Sequence, residues 1–129
     1  MQKFDSDPER RLAVILDREA TKWFRPAKGQ FKIFYKCGAD HAEYQPDFVA
    51  ETTDAIYMLE PKASNQMTAL EVMAKRTAAE EWCRGANDHA ASYRGKPWQY
   101  VLIPHDAISD NMTLHGLAQQ FSSHKAIPQ

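Results

Sequence analysis

The sequence predicts a single α/β domain in which a mixed central sheet is flanked by helices, with elements in the order αβββαβα. Three observations carry that expectation. Apolar residues recur at three- and four-residue spacing in an opening segment, and a later long stretch is rich in Ala, Met, Glu and Lys without Gly or Pro; both are helical signatures. Between and after them lie short runs dense in aromatic and aliphatic residues and bounded by turn formers, the composition of strands. A length of 129 residues, 43% apolar and 26% charged, suits one soluble domain spanning 1–129 around one core, and no repeat or low-complexity linker divides it.

Helix one starts where Ser6 and Asp7 precede Pro8, and Leu12, Leu16, Ala20 and Trp23 carry its apolar stripe until Pro26 closes it. Residues 30–36 alternate, with Phe31, Ile33 and Tyr35 on one side, and form strand one, followed by a turn over 38–42. The runs 44–52 and 55–62 form a hairpin about Thr53-Asp54. The helical stretch from Asn65 ends near Arg84-Gly85, and a loop or loosely helical segment follows through Gly95. Residues 98–103 make a fourth strand stopped by Pro104, and 112–121 a closing helix capped by Asp110 or Asn111.

Composition narrows the function classes. No run of roughly 18 or more apolar residues suits a membrane span, and no charged-then-apolar leader opens the chain, so a cytoplasmic protein without membrane contact is expected. Cys37 and Cys83 form no C-x-x-C pair and are expected to be ordinary buried thiols. His41, His89, His105, His115 and His124 lack zinc spacing, His105-Asp106 has no accompanying Ser or Cys nucleophile motif, and no phosphate-binding G-x-x-x-x-G-K-[ST] loop exists. Trp23, Trp82 and Trp98 are expected in the core. A formal net charge of −1 weighs against a dedicated phosphate-binding surface, although clustered carboxylates can offset a basic face elsewhere.

The hairpin carries the chemistry. If it turns symmetrically about Thr53-Asp54, Asp47 lies directly opposite Glu60. Side chains alternate along a strand, so Asp47, Val49 and Glu51 share a face with Ile56, Met58, Glu60 and Lys62. Opposed side chains stand only about 5 Å apart, where two negative charges repel by roughly 3 kcal/mol at an effective dielectric near 20. A hard divalent cation would offset that repulsion, and Mg²⁺ prefers a few carboxylate oxygens plus water. Lys62 can reach a water on the cation or a phosphate oxygen. The competing reading of the same spacing is a solvated sheet face with an incidental ion pair.

Pro46-Asp47 followed by Glu60-Pro61-Lys62 at the end of the next strand resembles the PD-(D/E)xK signature of the restriction-endonuclease-like superfamily, whose core is αβββαβ. Trp23-Phe24-Arg25-Pro26, Gly29-Gln30-Phe31, Tyr44-Gln45-Pro46-Asp47-Phe48-Val49, Lys75 with Ala78-Ala79 and Trp82-Cys83, and Trp98-Gln99-Tyr100-Val101-Leu102-Ile103-Pro104 extend the resemblance over nearly the whole chain. Together they resemble the C-terminal endonuclease domain of type III restriction enzyme Res subunits. The resemblance implies a DNA endonuclease dependent on Mg²⁺, with Mn²⁺ able to substitute, and with Asp47, Glu60 and Lys62 as catalytic residues. It further implies a metal held by Glu9, Asp47, Glu60 and the Pro61 carbonyl, and Lys75 on a DNA phosphate. As partners it implies a helicase/ATPase domain or subunit and a modification methyltransferase.

Each of these residues also has an ordinary explanation. Glu9 fits a capping box or a charge–dipole contact at a helix start, and Glu19, the other candidate on that helix, fits a rim residue. Glu71 and Lys75 are four apart on a helix, the spacing of an exposed ion pair contributing about 0.3 kcal/mol. Pro61 occupies the variable position of the motif, where it gives up a ladder N–H. The competing function class is a non-catalytic nuclease-like module that binds DNA or docks onto a larger helicase complex.

Overall fold

A computed structural model of the chain describes residues 7–37, 40–91, 95–109 and 111–122. Helix α1 (Asp7–Glu19) follows from its apolar spacing, and Leu12, Ala13, Ile15 and Leu16 are buried along one side. It stops well short of Pro26. Thr21 N donates to Glu51 O at 2.7 Å, and Lys22–Phe24 becomes strand β1. Thr21, Trp23 and Phe24 are β-branched or aromatic and suit an extended backbone, so strand pairing overrides the helical spacing that Trp23 continued.

Strands β2 (Ile33–Cys37) and β3 (Asp40–Tyr44) pair antiparallel in a ribbon of their own. Residues 40–42, expected in a turn, are therefore strand; 38 and 39 lie outside the described residues. The run expected as one strand over 44–52 is divided: Tyr44 ends β3, and strand β4 (Phe48–Glu51) starts after Gln45-Pro46-Asp47. Pro46 has no N–H to offer a ladder, and the Gln45 side chain turns away to donate to Pro26 O at 2.6 Å.

The central sheet adds β5 (Ile56–Lys62) and β6 (Trp98–Pro104) in the order β1-β4-β5-β6. The first three strands are mutually antiparallel, whereas β5 and β6 are parallel, so the sheet is mixed. Parallel neighbours need a crossover, and helix α2 (Leu70–Ala91), reached through a 3₁₀ turn at Ser64–Gln66, supplies it. The helix runs through Arg84-Gly85, where the sequence suggested its end. Beyond that glycine, Asn87 docks on β6: its Oδ1 accepts from Trp98 N at 2.6 Å and its Nδ2 donates to Trp98 O at 3.0 Å. Helix α3 (Leu114–Phe121) is capped by Thr113, whose hydroxyl accepts from Gly116 N at 2.9 Å. Asn111 instead accepts from Ser109 Oγ, and Asp110 lies outside the described residues.

Strand alternation divides the interior between the two sheet faces. Phe48, Ala50, Tyr57, Leu59, Val101 and Ile103 point toward α1 and α3. Val49, Met58, Tyr100 and Leu102 point toward α2 and the ribbon, packing with Ile33, Tyr44, Val72, Ala79 and Cys83. Trp23 packs on Phe48 on the first side, with its indole N–H donated to Asp17 at 2.7 Å. On the second, Phe31, Trp82 and Trp98 meet edge to face, and the two tryptophans are 4.9 Å apart between ring centres. The Cys83 thiol is buried, which raises its pKa; the side chain of Cys37 lies outside the description. Among the described residues no helix is long and apolar enough to cross a membrane.

Candidate functional site

The site begins at the β4–β5 turn. Thr52 N donates to Ala55 O at 2.9 Å, and the Thr52 hydroxyl accepts from the N–H groups of Asp54 and Ala55 at 3.2 Å. This holds Thr53-Asp54 as a two-residue connection and fixes the register, with Phe48 opposite Leu59 and Val49 opposite Met58. One step further along, Asp47 lies across from Glu60, and its backbone N–H donates to Glu60 Oε1 at 3.2 Å. The hairpin register thus brings together the two acids that their spacing in the sequence singled out.

Glu60 is a carboxylate inside the protein, only 5% exposed, on the sheet face covered by α2. Its Oε1 also accepts from the Tyr44 hydroxyl at 2.7 Å, and its Oε2 stands 3.6 Å from Lys62 Nζ. Burial and, after it, the negative charge of Asp47 push the Glu60 carboxyl up to about 7; the Tyr44 hydrogen bond and the Lys62 charge pull the other way. The solvated sheet face of the competing reading therefore does not describe Glu60. Lys62 is about a third exposed and can turn outward.

Tyr44 is the site residue that sequence reasoning missed. It is 4% exposed, and its hydroxyl is 3.4 Å from that of Tyr100, their rings meeting edge to face at 6.4 Å. Burial, followed by the charge of Glu60, raises both phenol pKa values, so both stay protonated and able to donate. The signal was a strand-end aromatic just before Pro46-Asp47. Reading it required knowing that residues 40–44 belong to a separate ribbon laid over the face that carries Glu60.

The other candidates are spread around this centre. Glu9 pairs with Arg25 at 3.1 Å, and the Arg25 guanidinium lies over the Phe48 ring, on the side of the sheet facing α1. Glu19 accepts from Leu114 N at 2.8 Å and so ties α1 to the start of α3. Among the described residues, no group of three or more His, Cys, Asp or Glu side chains is placed to hold a metal. Pro61 is buried in β5, two residues past the last residue paired with β4, where that side of the strand has been released from its ladder. Lys75 makes the ion pair with Glu71 at 3.6 Å, but its ammonium also lies 5.6 Å from the Tyr35 ring and 6.0 Å from that of Tyr44. It is thus one side chain removed from Glu60.

Two opposed acids, one of them held against its ordinary ionisation, and an adjacent lysine form a centre that favours an added positive charge. Compared with known proteins, the chain matches no family model, no curated protein and no solved structure.

Proposed function

We propose that the chain is a magnesium-dependent DNA endonuclease domain with a restriction-endonuclease-like core, working within a type III restriction–modification system beside a helicase and a modification methyltransferase. The observation that carries this reading is the convergence of Asp47, Glu60 and Lys62 at the end of the β4–β5 hairpin, with the Glu60 carboxyl pushed up by its burial and, after that, by the Asp47 charge. The order of helix, antiparallel strands, crossover helix and parallel strand supports it, as do the Pro-Asp and Glu-x-Lys residues of the two hairpin strands.

The donor set fits a hard divalent ion. A cation would relieve the repulsion that burial and Asp47 impose on Glu60, and carboxylate oxygens are what Mg²⁺ prefers. Asp47 and Glu60 would hold it, with the Pro61 carbonyl as a further oxygen; Glu9, the fourth group the resemblance implies, is engaged by Arg25 at 3.1 Å and would have to exchange that contact to take part. Bound there, Mg²⁺ supplies a water of lowered pKa and neutralises charge on the scissile phosphate. Lys62, exchanging its contact with Glu60 for the nucleophile, orients the attacking water and stabilises negative charge on the phosphate as the new O–P bond forms and the ester P–O bond breaks. Lys75 places positive charge beside Tyr44 for a neighbouring DNA phosphate.

The test is nicking and linearisation of supercoiled plasmid in Mg²⁺, Mn²⁺ or EDTA, with Lys62→Ala as the comparison. Cutting should require the divalent ion, and the variant should be slower by about 100-fold or more, the size of effect seen when one transition-state donor is removed. Undiminished cutting by Lys62→Ala, or cutting in EDTA, sinks the proposal. DNA binding by an unaltered chain that never cuts would instead make it a docking module.

A further inference from the structure

We propose that Tyr44 is the positioning residue of this centre: its hydroxyl fixes Glu60 Oε1 and so presents Oε2 to the cation. The inference rests on the nuclease reading above. The two oxygens of Glu60 are not equivalent. Oε1 accepts from both Tyr44 and Asp47 N, at 2.7 and 3.2 Å, whereas Oε2 faces Lys62 Nζ at 3.6 Å. The terminal torsion of a glutamate is broad and roughly two-fold, so its oxygens exchange unless something distinguishes them. Two donors on one oxygen do so.

The chemistry of the donor matters as much as its place. A phenol satisfies a buried carboxylate oxygen without bringing positive charge, so it orients Glu60 without competing with a cation. An arginine or lysine at the same place would occupy the site itself. Tyr44 is in turn held from three sides: paired with Ile33 across the ribbon, edge to face with Tyr100, and under the Lys75 ammonium. The ribbon, which belongs to neither the central sheet nor the crossover helix, thereby delivers one hydroxyl to the acid pair.

The experiment compares the unaltered chain with Tyr44→Phe, which removes only that hydroxyl, and with Tyr100→Phe, which removes the neighbouring buried hydroxyl. Mn²⁺ binding is measured by calorimetry, plasmid cutting as a function of Mg²⁺, and thermal unfolding in EDTA. Tyr44→Phe should bind Mn²⁺ roughly tenfold more weakly, the size of one charge-assisted hydrogen bond. It should need correspondingly more Mg²⁺ for half-maximal cutting, and cut within a few-fold of normal once Mg²⁺ saturates. Tyr100→Phe should stay within about twofold of the unaltered chain in affinity, because the donor to Glu60 remains. Unaltered Mn²⁺ affinity in Tyr44→Phe, whether or not it melts earlier, overturns the positioning role and leaves the nuclease reading standing. An unaltered chain that neither binds Mn²⁺ nor cuts overturns both.

Discussion

Glu60 is destabilising where it stands. Burial and, after it, the Asp47 charge push its carboxyl up from an ordinary 4.5 to about 7, so between those values the folded state holds the proton more firmly than the unfolded one. The stability this confers is fully present below 4.5 and is lost as pH rises through 7. At about 1.4 kcal/mol per unit, the difference amounts to about 3 kcal/mol at alkaline pH. Glu60→Gln keeps the shape and an acceptor for Tyr44 while removing the charge. In metal-free buffer it should therefore gain about 1–3 kcal/mol in urea unfolding at pH 8 and almost nothing at pH 4. An equal gain at both values, or none at pH 8, would mean that charge burial is not what Glu60 costs. A cost accepted at one acid, and removable by a neutral isostere, is the pattern expected of a group retained for chemistry.

At the scale of elements, the sequence was readable wherever local rules decide. The Asp47–Glu60 pairing was legible because a two-residue turn fixes register, and the Thr52 side chain holds that turn by a purely local set of hydrogen bonds. Boundaries failed where a distant partner decided them. Trp23 continued a helical stripe yet lies in β1, because Glu51 pairs with Lys22 across the sheet. Gly85 read as a helix stop, yet α2 continues because Asn87 anchors the next turn to Trp98. That glycine makes a prediction. A Cβ added at Gly85 meets nothing within 4 Å, and the residue is interior to the helix. Gly85→Ala should then stabilise the domain by about 0.5–1 kcal/mol, raising the melting temperature by roughly 2–5 °C. A lowered melting temperature would show that α2 needs flexibility at this point.

For the whole molecule, an α/β domain was legible from the order of element types, and the mixed sheet flanked by helices that the resemblance implied is present. The detachment of the ribbon was not legible, since period-two patterning does not say which strand is the neighbour. The same gap hid Tyr44. The architecture sets the two faces apart in composition: the side toward α1 and α3 is lined by apolar residues, whereas the side toward α2 encloses Glu60 with its tyrosines. The tryptophans are distributed across that division. Trp82 on α2 and Trp98 on β6 stand 4.9 Å apart and nearly perpendicular, while Trp23 lies on the opposite side of the sheet against Phe48. Two indoles so close couple their electronic transitions, so the folded chain should show a paired positive and negative circular dichroism band in the indole region. Trp98→Phe should erase that band, and Trp23→Phe should leave it; a band surviving Trp98→Phe would place its origin elsewhere. The crossover helix therefore carries an optical signature of its own docking. Loss of this band during unfolding, timed against the emission of Trp23, reports whether the two sides of the sheet come apart together or in sequence.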